Sequence, residues 1–200
     1  VYGLNEWLGE ELDDAAKTYL KDFGAATASN GAVGLYHIDK LTPEAKEQGE
    51  ALVKENAKVY VIDDAELERV KNNYPGIWKN KDAKPKLCFL GCPHMSLEQL
   101  KTWTVNVERS LKEAGNAKVL IPTVFTAAPA VLKEFEKTEY AARLKKTGVI
   151  TSYICPLMYM NNPLCGKMPV ITSSNKLRTY TTARYYTDEE ILVKITKGGN

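Results

Sequence analysis

Two hydrophobic patterns alternate along the chain. Short apolar runs predict buried strands at residues 32–38, 58–62, 87–90, 119–122, 149–154 and 169–172. Helical spacing of apolar positions lies between them, at residues 5–23, 42–56, 63–73, 96–115, 128–146 and from 187 onward. Strands separated by helices favour parallel βαβ units, and strands that are apolar throughout indicate helices on both faces of a sheet. The predicted fold is therefore α/β, a layered sandwich with a mainly parallel sheet covered by helices.

The domain organisation follows from the same pattern. No segment repeats, and the weakest stretch is the Lys- and Asn-rich connection from Pro75 to Pro85. We expect one α/β unit over residues 1–200, with a weak boundary near 75–85. The chain opens on Val1 rather than Met, which is typical of a processed product or a piece of something longer.

Composition narrows the class of protein. Lys and Arg number 27 against 25 Asp and Glu, a net charge of +2, so no basic excess supports nucleic-acid binding. The longest apolar stretch, residues 119–132, contains Pro122 and Pro129 and is shorter than the roughly 20 residues of a membrane-spanning helix. Four cysteines are too few for a disulfide scaffold, and no signal peptide is visible. We expect a cytoplasmic protein with no membrane partner.

The ends of the predicted strands carry the candidate chemistry, because α/β sheets bind ligands outside the carboxyl ends of their strands. Cys92 and Cys155 each follow an apolar strand and precede a proline. A thiolate ahead of a capped helix is favoured as a metal ligand or a nucleophile. The alternative for each cysteine is a small, buried, apolar side chain.

Other residues near these ends are less specific. His94 lies two residues after Cys92 and is a candidate acid, base or hydrogen-bond partner of a ligand, or a turn histidine bonded to backbone. The more frequent outcome for His37 is a histidine at a strand end with its hydrogen bonds satisfied. Cys88 more often would pack within its strand, and Cys165 lies in a polar loop as a weaker ligand candidate.

A polar run follows the last predicted strand. Ser173, Ser174 and Lys176 offer two hydroxyls and a cation, which suits a carboxylate or phosphate, although an ordinary polar loop has the same composition. The chain lacks the glycine-rich nucleotide loops, the hydrolase Gly-x-Ser-x-Gly and the zinc-protease His-Glu-x-x-His. These absences remove the usual support for nucleotide binding, serine hydrolysis and zinc proteolysis.

Several blocks together resemble the aconitase X family, a divergent branch of the aconitase superfamily. The blocks, in order, are residues 35–38, 41–45, 90–96, 155–156 and 171–176, and the most specific is Gly-Cys-Pro-His-x-Ser at 91–96. The resemblance implies an iron–sulfur hydro-lyase, a dehydratase of a small hydroxy acid such as cis-3-hydroxy-L-proline or 5-phosphomevalonate.

The resemblance also implies roles for individual residues. Cys92 and Cys155 would be cluster ligands, Lys176 would meet the acidic group of the substrate with Ser173 and Ser174 beside it, and His94 would be the catalytic proton-transfer candidate. The catalytic polypeptide of this family is about twice as long as this chain. We therefore expect this chain to be its C-terminal half and to be inactive alone.

The missing parts would be an N-terminal half, with a third cluster cysteine, and a small swivelling domain or subunit. Two other hypotheses remain open from the residues alone. One is a non-catalytic α/β module that binds an acidic metabolite or a partner subunit, with structural cysteines. The other is an enzyme with a Cys92 nucleophile and His94 as its base.

Overall fold

The computed structural model describes residues 1–198, which form two compact units that meet in sequence at Tyr74 and Pro75. The first unit is helical, with a 3-10 turn at Gly49–Leu52. Its helices are α1 (Asn5–Leu8), α2 (Asp14–Gly31), α3 (Pro43–Gln48) and α4 (Asp64–Asn72). Asp13 and Asp63 cap α2 and α4, each accepting a backbone N–H at 2.8 Å, as acidic residues do at helix starts. The expectation of one α/β unit over residues 1–200 stays a prediction.

The two strands expected in the first unit are wrong. Residues 32–38 and 58–62 are irregular, and Val59, Tyr60, Val61 and Ile62 are 63–87% exposed. A strand needs the hydrogen bonds of a neighbouring strand, and β-propensity by itself does not supply them. Within the described part of this unit no strand is present to pair with either run.

The second unit contains a parallel sheet, so the predicted α/β fold class is confirmed. Its strands are β1 (Leu87–Met95), β2 (Thr123–Ala127), β3 (Ile150–Ser152), β4 (Val170–Thr172) and β5 (Arg184–Tyr185). They lie in the order β3-β2-β1-β4-β5, with every pair parallel. The helices are α5 (Leu97–Ala114), α6 (Pro129–Glu136), α7 (Glu139–Lys146), α8 (Pro156–Met160), α9 (Pro163–Gly166), α10 (Asn175–Tyr180) and α11 (Asp188–Thr196).

Alternation along the central strand builds a core on each face of the sheet. Cys88 and Leu90 pack with α5, α6, α7 and α11, whereas Leu87 and Phe89 pack with α8 and α10. This is the period-two placement of side chains on a pleated strand. Helices therefore cover both faces, as the apolar strands indicated.

Several boundaries in the second unit differ from the predictions. The strand expected at 119–122 lies at Thr123–Ala127, because Val119 and Leu120 give their N–H groups to Thr147 and Ile195 outside the sheet. The helix expected over 128–146 divides into α6 and α7 near Thr138, whose hydroxyl donates to Phe135 O at 2.7 Å. The two-residue strand β5 was not predicted.

Candidate functional site

The sheet has a switch point between β1 and β4. From β1 the chain moves outward through β2 to β3, and it then returns to the other side of β1 as β4. The helices that follow β1 and β4 pack in the cores on opposite faces, as Leu100 of α5 and Leu177 of α10 show. Diverging connections of this kind leave a crevice at the carboxyl ends of the two strands, the usual ligand site of an α/β sheet.

Cys92 lies in a bulge of β1 at this crevice. Leu90 pairs with Phe125 and Met95 pairs with Ala127, so residues 91–94 lie opposite the single residue Thr126. The predicted strand end at Leu90 is therefore wrong, because β1 continues through the bulge to Met95. Bulges bend a strand and redirect its side chains, which occurs frequently beside active sites.

Gly91 permits the bulge. It has a φ of +99°, and a Cβ there would overlap the carbonyl oxygen of Thr126 and lie 2.7 Å from its Oγ1. A positive φ strains residues that carry a Cβ, and a close approach between backbones leaves no room for one. The Cys92–Pro93 peptide bond that follows is cis.

The structure brings Cys92 together with three other predicted site residues. The Cys92 thiol is buried, and Ser174, Cys155 and Lys176 all lie close enough to it to influence its pKa. Burial raises the pKa of Cys92 to about 11; the Ser174 hydrogen bond and the Lys176 charge oppose this rise, and the Cys155 thiol adds to it. Cys92 is therefore a protonated thiol at neutral pH.

Ser174 links the Cys92 turn to α10. Its hydroxyl donates to the Cys92 carbonyl oxygen and accepts the Leu177 N–H at 3.0 Å as the helix cap. The Ser174 N–H is bonded in turn to Thr172 Oγ1 at 3.1 Å. The segment that carries Lys176 is thus tied to the backbone of Cys92.

The remaining predicted residues occupy different settings. Cys155 is half-buried at the N-cap of α8, and Ser173 and Lys176 are half-buried at the start of α10. His94 lies in the bulge with its Nε2 buried. Cys88 is fully buried in the core, where burial raises its pKa, and Cys165 packs against the cluster that contains Cys92.

His37 lies in the first unit, away in sequence from the thiols. Its Nδ1 is 3.9 Å from Glu44 Oε2, and its carbonyl accepts the N-terminal ammonium of Val1 at 2.6 Å. The Nδ1 atom is buried and has no hydrogen-bond partner within the described residues, and residues 32–38 form no strand, so the expectation of a satisfied strand-end histidine is wrong.

The donor set fits part of an iron–sulfur site. Two neighbouring cysteine thiols are the ligand type that such clusters use. Within residues 1–198 no group of three or more His, Cys, Asp and Glu side chains is placed to hold a metal ion. Within the described residues, this pair could supply at most two of the ligands that such a centre needs.

The sequence did not predict a functional role for two residues of this site, Gly91 and Thr126. Gly91 stood in the Gly-Cys-Pro-His block, but nothing local marks its contact with Thr126. Thr126 belongs to a strand that was placed four residues too early. Only the register of β1 on β2 identifies the pair.

The fold defines a parallel α/β protein with a candidate ligand site at its switch point, and comparison with known proteins shows which of them it resembles. A sequence model of the second domain of aconitase X matches residues 8–72. The crystal structure of Thermococcus kodakaraensis aconitase X in its holo-form superposes with a TM-score of 0.68 and 22% identity, covering 90% of this chain and 44% of that one. The resemblance to the aconitase X family is confirmed.

The curated relatives carry one name, phosphomevalonate dehydratase large subunit. That of Methanosarcina mazei is 28% identical over 162 residues, 69% of this chain and 36% of its own length. That of Thermococcus kodakarensis is 29% identical over 113 residues, 56% of this chain and 26% of its own length. This chain thus matches well under half of the length of these relatives.

Proposed function

We propose that this chain is part of an iron–sulfur hydro-lyase of the aconitase X type that acts on a small hydroxy acid. The convergence of Cys92, Cys155 and Lys176 at the β1–β4 crevice carries the proposal. The relatives are dehydratase subunits, which supports the reaction class. The candidate substrates are 5-phosphomevalonate, which the relatives' name favours, and cis-3-hydroxy-L-proline.

Each residue has a role in this proposal. Cys92 and Cys155 would hold the cluster as thiolates, each giving up its proton on binding. A bound cluster with an open iron position supplies a Lewis acid for the departing hydroxyl. Lys176 would bind the carboxylate or phosphate of the substrate, Ser173 and Ser174 would offer hydroxyls beside it, and His94 would transfer a proton.

The high pKa of Cys92 weighs against the alternative of a cysteine nucleophile. Nucleophilic cysteines are activated by a lowered pKa, whereas burial holds the pKa of Cys92 at about 11. A non-catalytic module with structural cysteines remains the competing hypothesis. It differs in predicting that the paired thiols bind no metal.

We expect the active enzyme to contain polypeptide beyond this chain. Because the relatives are large subunits and extend well beyond the matched region, we expect an N-terminal half with a third cluster cysteine and a small swivelling domain or subunit. No helix within residues 1–198 has the length and apolar character needed to cross a membrane. A cytoplasmic location and the absence of nucleic-acid partners stay predictions.

Anaerobic titration with Co²⁺ tests the thiol site. Thiolate ligands produce sulfur-to-cobalt charge-transfer absorption, so we expect this band in the wild-type chain and its loss in Cys92→Ala and Cys155→Ala. Cys88→Ala is the matched control, because Cys88 packs in the core on the opposite face of the sheet, and it should retain the band. A band that survives both site substitutions would leave the non-catalytic module as the better account.

A direct assay tests the incompleteness of the chain. Incubated alone with 5-phosphomevalonate or cis-3-hydroxy-L-proline after anaerobic iron and sulfide reconstitution, the chain should form no dehydrated product. Turnover by these 200 residues would contradict the expected need for further polypeptide.

A further inference from the structure

Thr126 is the one residue of β2 that lies opposite the four-residue bulge of β1. It is fully buried, and its hydroxyl contacts two carbonyl oxygens of β1: that of Gly91 in the bulge at 2.6 Å and that of Leu90, just before the bulge, at 3.2 Å. A hydroxyl has one hydrogen, so the two carbonyls share it, with the shorter contact to Gly91. In a buried setting, a carbonyl that loses its partner carries a desolvation penalty.

The bond to Gly91 O acts directly on Cys92. This oxygen belongs to the peptide unit that enters Cys92, and the Cys92 carbonyl, which Ser174 holds, belongs to the unit that leaves it. Thr126 on β2 and Ser174 at α10 thus restrain the two peptide planes on either side of one α-carbon. Because φ and ψ orient these planes, restraining both sets the direction of the Cys92 Cβ and of its thiol.

We propose that Thr126 is a positioning residue for Cys92: its hydroxyl holds the Gly91 carbonyl and so keeps the Cys92 thiol paired with Cys155. The positioning role of Thr126 is independent of the proposed function. Only the expectation that the thiol pair binds a metal rests on that function. Without the Thr126 hydroxyl, the Gly91 carbonyl loses the hydrogen bond from β2 that restrains the Gly91–Cys92 peptide plane. The two thiols would then lose their common orientation.

Thiol chemistry on the intact chain tests the proposal without any metal. Dibromobimane cross-links two thiols that lie close together, and peptide mapping identifies the Cys92–Cys155 product. Thr126→Val keeps the branched shape and removes the hydroxyl, so we expect less cross-linked product. We also expect alkylation of Cys92 by iodoacetamide to quicken by about fivefold, the population change that follows from one lost hydrogen bond.

Two further variants separate positioning from general stability. Thr126→Ser retains the hydroxyl and should restore both thiol readouts to wild-type values. Thr123→Val makes the same chemical change on the same strand, at a residue that is equally buried and donates to Ile121 O at 3.0 Å, so it should leave both readouts unchanged. Should Thr126→Val fail to fold, Thr126→Ala provides a second variant without the hydroxyl.

The outcomes are distinct. Wild-type cross-linking and alkylation in folded Thr126→Val or Thr126→Ala would overturn the positioning role, as would the same change in Thr123→Val. Absence of the cobalt band in a wild-type chain whose thiols still cross-link would count against metal binding by this thiol pair in the chain alone, and would leave the role of Thr126 intact.

Discussion

At the scale of single residues, the contact between Gly91 and Thr126 is the tightest constraint on the candidate site. The backbone of β1 passes so close to β2 here that a methyl group has no space, and φ is +99°. Both conditions favour glycine for physical reasons that are independent of any catalytic role. Cys92 is the next residue, so its position depends on the positive φ of Gly91 and on the close contact between Gly91 and Thr126.

Gly91→Ala should therefore lower the free energy of unfolding by more than about 3 kcal/mol, combining backbone strain with the overlap on Thr126. Gly115→Ala is a matched control, because Gly115 also has a positive φ, +69°, but faces open space. It should cost only about 1 kcal/mol. Urea denaturation measures both values, and equal losses would show that the close approach in the structure is wrong.

Lys176 acts on Cys92 through charge. Its ammonium lowers the pKa of the thiol against the larger effect of burial. In Lys176→Ala the pKa of Cys92 should rise further, so alkylation at a fixed alkaline pH should be slower. Lys167→Ala removes an exposed lysine and serves as the control. Faster or unchanged alkylation in Lys176→Ala would contradict the predicted proximity of the charge.

At the scale of elements, α5 is the helix that follows the bulge. Ser96 and Gln99 form a capping box, with Gln99 N donating to Ser96 Oγ at 3.1 Å and Ser96 N donating to Gln99 Oε1 at 2.9 Å. The Ser-Leu-Glu-Gln spacing of residues 96–99 is by itself typical of a capping box, because capping chemistry is local. Only residues 93–95 separate Cys92 from the cap, so the start of α5 also anchors the far side of the bulge.

Ser96→Ala should reduce the free energy of unfolding by about 1 kcal/mol, since it removes the acceptor for an N-terminal N–H of the helix. Ser96→Asp keeps an acceptor and adds a favourable negative charge at this end, so it should be close to wild type. Chemical denaturation of the three proteins checks the order. An Ala variant as stable as the Asp variant would show that the cap contributes nothing.

Strands, which need a neighbouring strand to pair with, were predicted less well than helices, which depend on local signals. The strand at 87–90 and the helices α5 and α11 carry apolar periodicity and caps, and the structure contains them. Residues 58–62 have the composition of a strand but remain exposed and irregular. Pairing is a property of two segments, so composition of one segment cannot determine it.

At the scale of the whole molecule, buried thiols make stability dependent on pH. Burial raises the pKa of Cys92 from 9.0 to about 11 and raises that of Cys88 as well. The folded state therefore keeps these protons where the unfolded chain has lost them. The contribution of the buried, protonated Cys92 thiol to the free energy of unfolding is fully present below pH 9 and is lost as the pH rises toward 11.

Urea denaturation at increasing pH should show this loss, roughly 2 kcal/mol for Cys92 between pH 9 and pH 11. Cys92→Ala removes the titrating group and should have a shallower dependence on pH, whatever its stability at pH 7. Tyr36 and Tyr186, whose pKa values burial also raises, contribute a slope common to both proteins. Identical slopes in the two proteins would contradict the buried, raised pKa of Cys92.

The sequence by itself determined the α/β class and the resemblance to aconitase X, because periodicity, capping and motif order are properties of neighbouring residues. The tertiary structure decided which of these residues meet. Cys92, Cys155 and Lys176 come from three separate segments, and they converge because β4 returns beside β1. The bulge, the contact of Gly91 with Thr126 and the high pKa of Cys92 likewise arise only from strand register and burial, which no single segment contains.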